Sequence, residues 1–203
     1  MSEFNLKTGD ILLCDYEGNN IFFYYFTKLI QRFTNNKFSH VSMVIKDPTY
    51  IHPSLKGYYV WQSSWTGGKD PQDNKIKLGV QLTPFYDVYN YYKKNNSHIS
   101  LRRIHCKTST FNDDELKKIH DVVYDKPYDI VPEDWIQAIF RKDNEPQKTD
   151  RFWCSALIGY IYTQCGLLPD KIDWSILRPS DFSEKSDLQL INSAYLSNEE
   201  ILL

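Results

Sequence analysis

The stretch Phe38-Ser39-His40-Val41-Ser42-Met43-Val44-Ile45 decides the fold class of this chain. Val41, Met43 and Ile45 fall on every second position, so a β-strand would place these apolar side chains on one face. His40 stands one position before Val41 and would therefore lie on the opposite face. The pattern predicts a strand with one apolar face and with a histidine on the other face that is free to point into a cleft.

Further strands and helices are predicted on both sides of this stretch. The apolar run Ile11-Leu12-Leu13-Cys14 indicates a buried strand, and residues 63–71 and 141–150 have the composition of loops, the second of which could gate a site beside it. Strands in the first half with helices around them predict an α+β fold built on an antiparallel sheet. The remaining predicted strands are 58–62, 76–81 and 99–104, and the predicted helices are 20–33, 113–124 and 151–165.

Composition narrows the classes of function. A chain of 203 residues that is 41% hydrophobic can bury one substantial core, which favours a single domain. Its 24 Lys and Arg against 26 Asp and Glu give a net charge of -2, with no basic footprint for nucleic acid.

The expected compartment follows from the cysteines and from the N-terminal segment. The four cysteines contain no CxxC pair, which favours a reducing compartment such as the cytoplasm. The segment Met1 to Asp10 lacks the pattern of a signal peptide, and the aromatic run 21–26 is far shorter than the roughly 20 residues that span a bilayer. We therefore expect neither secretion by a signal peptide nor a transmembrane segment.

Cys154 is the candidate nucleophile. Thr149 or Asp150 can cap the predicted helix 151–165, so Cys154 falls in its first turn, where free N–H groups and the helix dipole favour a thiolate. The alternative interpretation is a small buried hydrophobe between Trp153 and Leu157, and position alone favours that alternative.

Five short pieces of sequence, in chain order, add a family resemblance. They are Thr8-Gly9-Asp10-Ile11-Leu12, Phe38-Ser39-His40-Val41, Tyr128-Asp129, Trp153-Cys154-Ser155-Ala156-Leu157 and Arg178-Pro179-Ser180-Asp181-Phe182. Together they resemble the circularly permuted branch of the NlpC-like papain-fold family, which includes YiiX-like bacterial proteins and poxviral relatives, with lecithin:retinol acyltransferase as a more distant cousin. The resemblance covers about residues 8–182 and implies one permuted papain-like domain over 1–203, with the histidine strand before the cysteine helix. The poxviral relatives make an association with a virus a further expectation.

The resemblance implies roles for three residues. Cys154 would be the nucleophile, His40 its general base, and a polar residue on the strand after the histidine the third member. Gln62 is the best candidate for that place, because its amide oxygen can accept the second imidazole N–H and fix the tautomer. It is uncharged and would stabilise an imidazolium less than the carboxylate common in relatives. Alternatively, Gln62 is a polar strand residue without a role.

Trp153, Tyr128 and Asp129 lie in the matching pieces and could bind substrate. Their other interpretation is aromatic packing and loop capping. Asp10 is expected to fix the turn into the first strand rather than to take part in chemistry.

No metal or cofactor is expected. The spacings of His52, His98, His105 and His120 match no metal-ligand motif, and no nucleotide-binding or serine-hydrolase motif occurs.

Three functions remain open at this point. The first is a thiol peptidase or amidase. The second is a lipid-directed thiol acyltransferase or esterase, favoured by the permuted order and the aromatic run 21–26. The third is a binding module on the same fold with little or no turnover, favoured by the uncharged Gln62.

Overall fold

The computed structural model describes residues 4–15, 36–129, 149–186 and 188–203. The predicted helix 20–33, the aromatic run 21–26 and residues 141–148 of the predicted loop lie outside these ranges. The strands are β1 Ile11–Cys14, β2 His40–Lys46, β3 Tyr58–Lys69, β4 Ile76–Pro84, β5 Ile99–Arg102, β6 Ile104–His105, β7 Tyr195–Leu196 and β8 Glu200–Ile201. The α-helices are α1 Phe85–Lys94, α2 Asp113–Val123 and α3 Cys154–Gln164, and two 3-10 turns cover Trp174–Ile176 and Pro179–Phe182.

Six of the strands form one antiparallel sheet in the order β4-β3-β2-β1-β5-β8. The remaining two, β6 and β7, form a separate antiparallel pair. This mixed architecture confirms the predicted α+β class and the antiparallel sheet packed against helices.

Side chains cover both faces of the sheet. Val41, Met43 and Ile45 of β2 share a core cluster with the apolar residues of α2 and α3, as their alternation predicts. Val44 points the other way and is also fully buried, because α1 covers the second face with Phe85. Both faces of β2 are therefore buried over most of its length, and His40 at its first position is partly exposed.

Two boundaries differ from the sequence-based prediction for physical reasons. The predicted loop 63–71 is strand as far as Lys69, because β3 continues its pairing with β4 past Gln62, with an irregularity between Trp65 and Lys69. Helix α1 was not predicted, although Phe85, Val88 and Tyr92 form one buried face at helical spacing. Its N-cap position is held by Pro84 without a side-chain cap, so the usual start signal is missing.

A short segment at the edge of β4 positions the loop before α3. The N–H of Val80 donates to the carbonyl of Lys126 (2.9 Å), and the N–H of Tyr128 donates to the carbonyl of Leu78 (3.1 Å). Gly79 permits this approach, since a Cβ there would stand 2.3 Å from the Lys126 carbonyl oxygen, and its φ is +149°.

None of the helices within the described ranges combines the length and apolar character that crossing a membrane requires.

Candidate active site

Cys154 is the first residue of α3 and is 4% exposed. The predicted caps Thr149 and Asp150 are wrong, because the helix begins later and its N-cap is Trp153, which makes no side-chain capping bond. The first N–H groups of the helix are therefore not consumed by a cap, and the N–H of Ser155 hydrogen-bonds to the Cys154 sulfur.

Three hydrogen bonds fix the start of α3 against the rest of the fold. Ser155 Oγ donates to the Leu177 carbonyl (2.6 Å), and Ser63 Oγ of β3 donates to the Phe152 carbonyl (2.6 Å). The Phe152 N–H donates to the carbonyl of Pro127 (3.1 Å). These bonds hold the sulfur at a defined position relative to β2 and β3.

The fold brings His40 and Cys154, 114 positions apart in sequence, close enough for each to shift the pKa of the other through hydrogen bonding and charge. Burial by itself would raise the pKa of the Cys154 thiol. The bond and charge attraction from His40 and the N–H groups of Val41 and Ser155 outweigh burial, so the pKa of Cys154 lies below its usual value.

The pKa of His40 moves in the opposite direction. Burial alone would lower it, but the hydrogen bond and charge attraction of Cys154, followed by the hydrogen bond of Gln62, raise it above its usual value. A lowered thiol pKa beside a raised imidazole pKa favours a thiolate and imidazolium pair.

Gln62 makes the contact that its position predicts. His40 Nε2 lies 2.9 Å from Gln62 Oε1, and Gln62 is 3% exposed. Because a carbonyl oxygen only accepts, Nε2 carries the hydrogen in this bond. Nδ1 is then the ring nitrogen left for the sulfur. The other end of the amide, Gln62 Nε2, donates to Thr83 Oγ1 (3.0 Å) of β4.

His120 and Gln72 form a second histidine and glutamine pair in this fold. His120 Nε2 lies 2.7 Å from Gln72 Oε1, and its pKa is lowered by burial. The raised pKa of His40 is due mainly to Cys154.

Tyr128 is brought to the sulfur as well. Its hydroxyl hydrogen-bonds to Cys154, and burial together with the negative charges of Cys154 and Asp129 raises its pKa well above the usual value. At neutral pH the hydroxyl is therefore protonated and donates to the sulfur. The matching piece Tyr128-Asp129 predicted that this residue lies near the site, whereas the hydroxyl contact depends on pairing with β4.

Trp153 and Asp129 are both buried beside these groups. The indole Nε1 of Trp153 is buried and has no hydrogen-bond partner within the described ranges. The Asp129 N–H donates to the Phe152 carbonyl (3.2 Å), which ties its backbone to the residue before Trp153.

The other cysteines differ from Cys154. Burial raises the pKa of Cys14 to about 12 and that of Cys165 to about 12. Cys106 is partly exposed. Asp10 acts as predicted on the turn into β1, since its carboxylate accepts from the N–H groups of Lys7 (2.8 Å) and Ile104 (3.1 Å).

No group of three or more His, Cys, Asp or Glu side chains in the described part of the chain could hold a metal ion.

No protein-family model and no curated protein sequence matches the chain. Among solved structures, the chain is similar to the crystal structure of the metalloprotein YiiX from Escherichia coli O157:H7, with a TM-score of 0.42 and 17% sequence identity. The match covers 80% of this chain and 67% of the YiiX chain. This similarity is one of backbone path.

Proposed function

We propose that the chain is a thiol hydrolase, of the peptidase or amidase kind, on a permuted papain-like domain. Cys154 is its nucleophile, His40 its general base and acid, and Gln62 orients the imidazole. The observation that carries this proposal is the placement of His40, held at Nε2 by Gln62, beside Cys154 at the start of α3, with pKa values shifted in the two directions that favour an ion pair.

The reaction proceeds in two halves. The thiolate of Cys154 attacks the substrate carbonyl carbon, and the new C–S bond gives a tetrahedral oxyanion. His40 then donates its proton to the leaving amine as the C–N bond breaks, which leaves a thioester on Cys154. In the second half His40 takes a proton from water as the oxygen attacks the thioester carbon, and collapse of this second tetrahedral intermediate breaks the C–S bond, which releases the carboxylic acid and restores the Cys154 thiolate beside protonated His40.

Backbone and side-chain donors support the developing charges. The N–H of Cys154 has no acceptor inside its own helix and can donate to the oxyanion. The hydroxyl of Tyr128 donates to the sulfur and stabilises the thiolate before attack. Trp153 and Asp129 flank this centre and would contact the substrate.

A second candidate, a lipid-directed thiol acyltransferase or esterase, is favoured by one exposed apolar surface. Trp65, Ile76 and Leu78 of β3 and β4 are 50%, 54% and 42% exposed. Trp65 and Leu78 face each other across the two strands, and the Leu78 carbonyl accepts from the Tyr128 N–H. An acyl chain on this surface would lie beside the residue that contacts the sulfur.

The test offers the protein peptide amides and phospholipid esters in separate reactions, followed by acid quenching and mass spectrometry of the Cys154 peptide. We expect turnover of amides with an acyl adduct on Cys154, no adduct in Cys154→Ser, and normal turnover in the matched control Cys106→Ser. An adduct formed from esters alone would favour the second candidate. Binding of either substrate without any adduct or turnover would leave a binding module and contradict both.

A further inference from the structure

We propose that Thr83 is a positioning residue for this site, which acts on His40 through Gln62. The inference rests on the proposed function, because it concerns the protonation state that the thiol chemistry requires. It is carried by a chain of contacts across β4, β3 and β2: Thr83 Oγ1 to Gln62 Nε2 (3.0 Å), and Gln62 Oε1 to His40 Nε2 (2.9 Å).

The amide of Gln62 has two possible orientations with opposite consequences. With Oε1 toward the ring, His40 donates from Nε2, and Nδ1 can exchange a proton with the sulfur. With the amide reversed, the NH2 group would face Nε2, which must then be unprotonated. A neutral ring of that tautomer carries its hydrogen on Nδ1 and cannot accept a proton from the thiol.

Thr83 anchors the Gln62 amide in the observed position, with Oε1 toward the ring. Its hydroxyl oxygen accepts a hydrogen bond from the Gln62 NH2 group. Both residues are buried, with Gln62 3% exposed and Thr83 8% exposed. A buried amide N–H without an acceptor is unfavourable, so loss of the hydroxyl removes the contact that anchors the Gln62 amide against the imidazole ring. The imidazolium of His40 then loses part of its acceptor, and its pKa falls.

A similar pair elsewhere on the same two strands provides a matched control. Thr66 Oγ1 of β3 donates to Gln81 Oε1 of β4 (3.0 Å). In the described part of the chain, Gln81 Nε2 donates to the carbonyls of Ser64, Lys77 and Gly79 and not to His40 or Cys154. Thr66→Val therefore removes a threonine and glutamine hydrogen bond between the same strands without affecting the chain of contacts to His40.

The experiment follows the ring resonances of His40 by NMR against pH, with His40→Ala used to assign them among the five histidines. In Thr83→Val we expect the His40 midpoint to fall by about half a pH unit to one pH unit, which corresponds to one hydrogen bond between neutral groups. Thr83→Ser, which keeps the hydroxyl, and Thr66→Val should keep the midpoint of the unmodified protein. The midpoint of His120 should stay unchanged in all of them.

Two further variants show whether Thr83 acts through Gln62. In Gln62→Ala the His40 midpoint falls, and adding Thr83→Val should lower it no further, since the intermediate residue is gone. Thr83→Ala serves the same purpose if Thr83→Val does not fold.

Failure of the inference and failure of the proposed function give different results. The role of Thr83 is overturned if the His40 midpoint is raised and neither Thr83→Val nor Thr83→Ala lowers it. It is also overturned if Thr83→Ser lowers the midpoint as much as Thr83→Val does. In both cases the thiol site stands. If the unmodified protein shows no raised His40 midpoint, the ion pair itself is absent, and both proposals fail.

Discussion

His40 Nε2 lies 2.9 Å from Gln62 Oε1, so an uncharged amide occupies the place where a carboxylate would give the imidazolium a full countercharge. The amide fixes the direction of the ring, and the charge on the other side comes from the thiolate of Cys154. The site that we propose is thus a thiolate and imidazolium pair in which a neutral amide supports the imidazole.

Gln62→Glu tests how a negative charge beside Nε2 changes the pKa of His40. A carboxylate beside Nε2 stabilises the imidazolium, so the pKa of His40 should rise further, by about one pH unit or more. The alkaline limb of the activity profile should move up with it. Gln72→Glu is the matched control, because it places the same charge beside His120 and should raise that residue's pKa while the activity profile stays in place.

The pH profile of amide hydrolysis should be bell-shaped. The acid limb follows deprotonation of Cys154, whose pKa is lowered, and the alkaline limb follows loss of the His40 proton, whose pKa is raised. Activity is present between the two limbs, and it falls below the first because the thiol is neutral and above the second because no proton reaches the leaving group. The limbs are properties of the coupled pair.

His40→Ala should abolish the bell shape of the pH profile of amide hydrolysis. Without the imidazolium, the acid limb should move up toward the ordinary thiol value of about 8.5, and the alkaline limb should vanish. The rate at the former optimum should fall by at least about 100-fold, the lower end of what a general acid or base contributes. A profile that keeps both limbs in this variant would assign them to other groups.

Tyr128→Phe removes the hydroxyl that donates to the sulfur. The pKa of Cys154 should rise, and the acid limb should shift up by about half a pH unit to one pH unit. Tyr162→Phe is a suitable control, since it also removes a donating hydroxyl, the one that bonds to the Gly9 carbonyl at 2.7 Å. It should cost about 1 kcal/mol of unfolding free energy without moving the limb. Equal shifts in the two variants would remove Tyr128 from the site.

The fold also contains a buried ion network whose contribution to stability can be measured. Lys77 Nζ lies 3.0 Å from Asp70 Oδ2 and 2.7 Å from Asp73 Oδ2, with Asp70 fully buried. Lys77→Ala leaves the Asp70 carboxylate without its cation, so the free energy of unfolding should fall by about 3–5 kcal/mol in denaturant titrations.

Lys117→Ala is the matched surface control, because Lys117 pairs with Asp121 on the exposed side of α2. It should change stability by no more than about 0.5 kcal/mol. Equal losses in the two lysine variants would show that burial does not govern the Lys77 network.

Local patterns predicted those parts of the fold that depend on local chemistry. The apolar run of β1 and the alternation in β2 both follow from neighbouring residues. The continuation of β3 through 63–69 does not, because pairing with β4 determines it despite a loop-like composition.

The residues of the candidate site also differ in whether the sequence alone could predict them. Cys154, His40 and Gln62 could be proposed from motif order and strand position. Thr83 could not, because its contact with Gln62 depends on the register that pairs it with Val60 across β3 and β4.

The most direct test of the central claim is a pH titration of the ultraviolet thiolate absorbance, taken as the difference between the unmodified protein and Cys154→Ser. Cys14 and Cys165, with pKa values of about 12, stay neutral in this range, and the subtraction removes Cys106. The signal does not depend on reagent access to the buried sulfur. The account predicts that a full thiolate appears well below the ordinary thiol pKa of about 8.5 and that His40→Ala returns the midpoint toward that value. A midpoint at or above about 8.5 in the unmodified protein, unchanged in His40→Ala, would contradict the account.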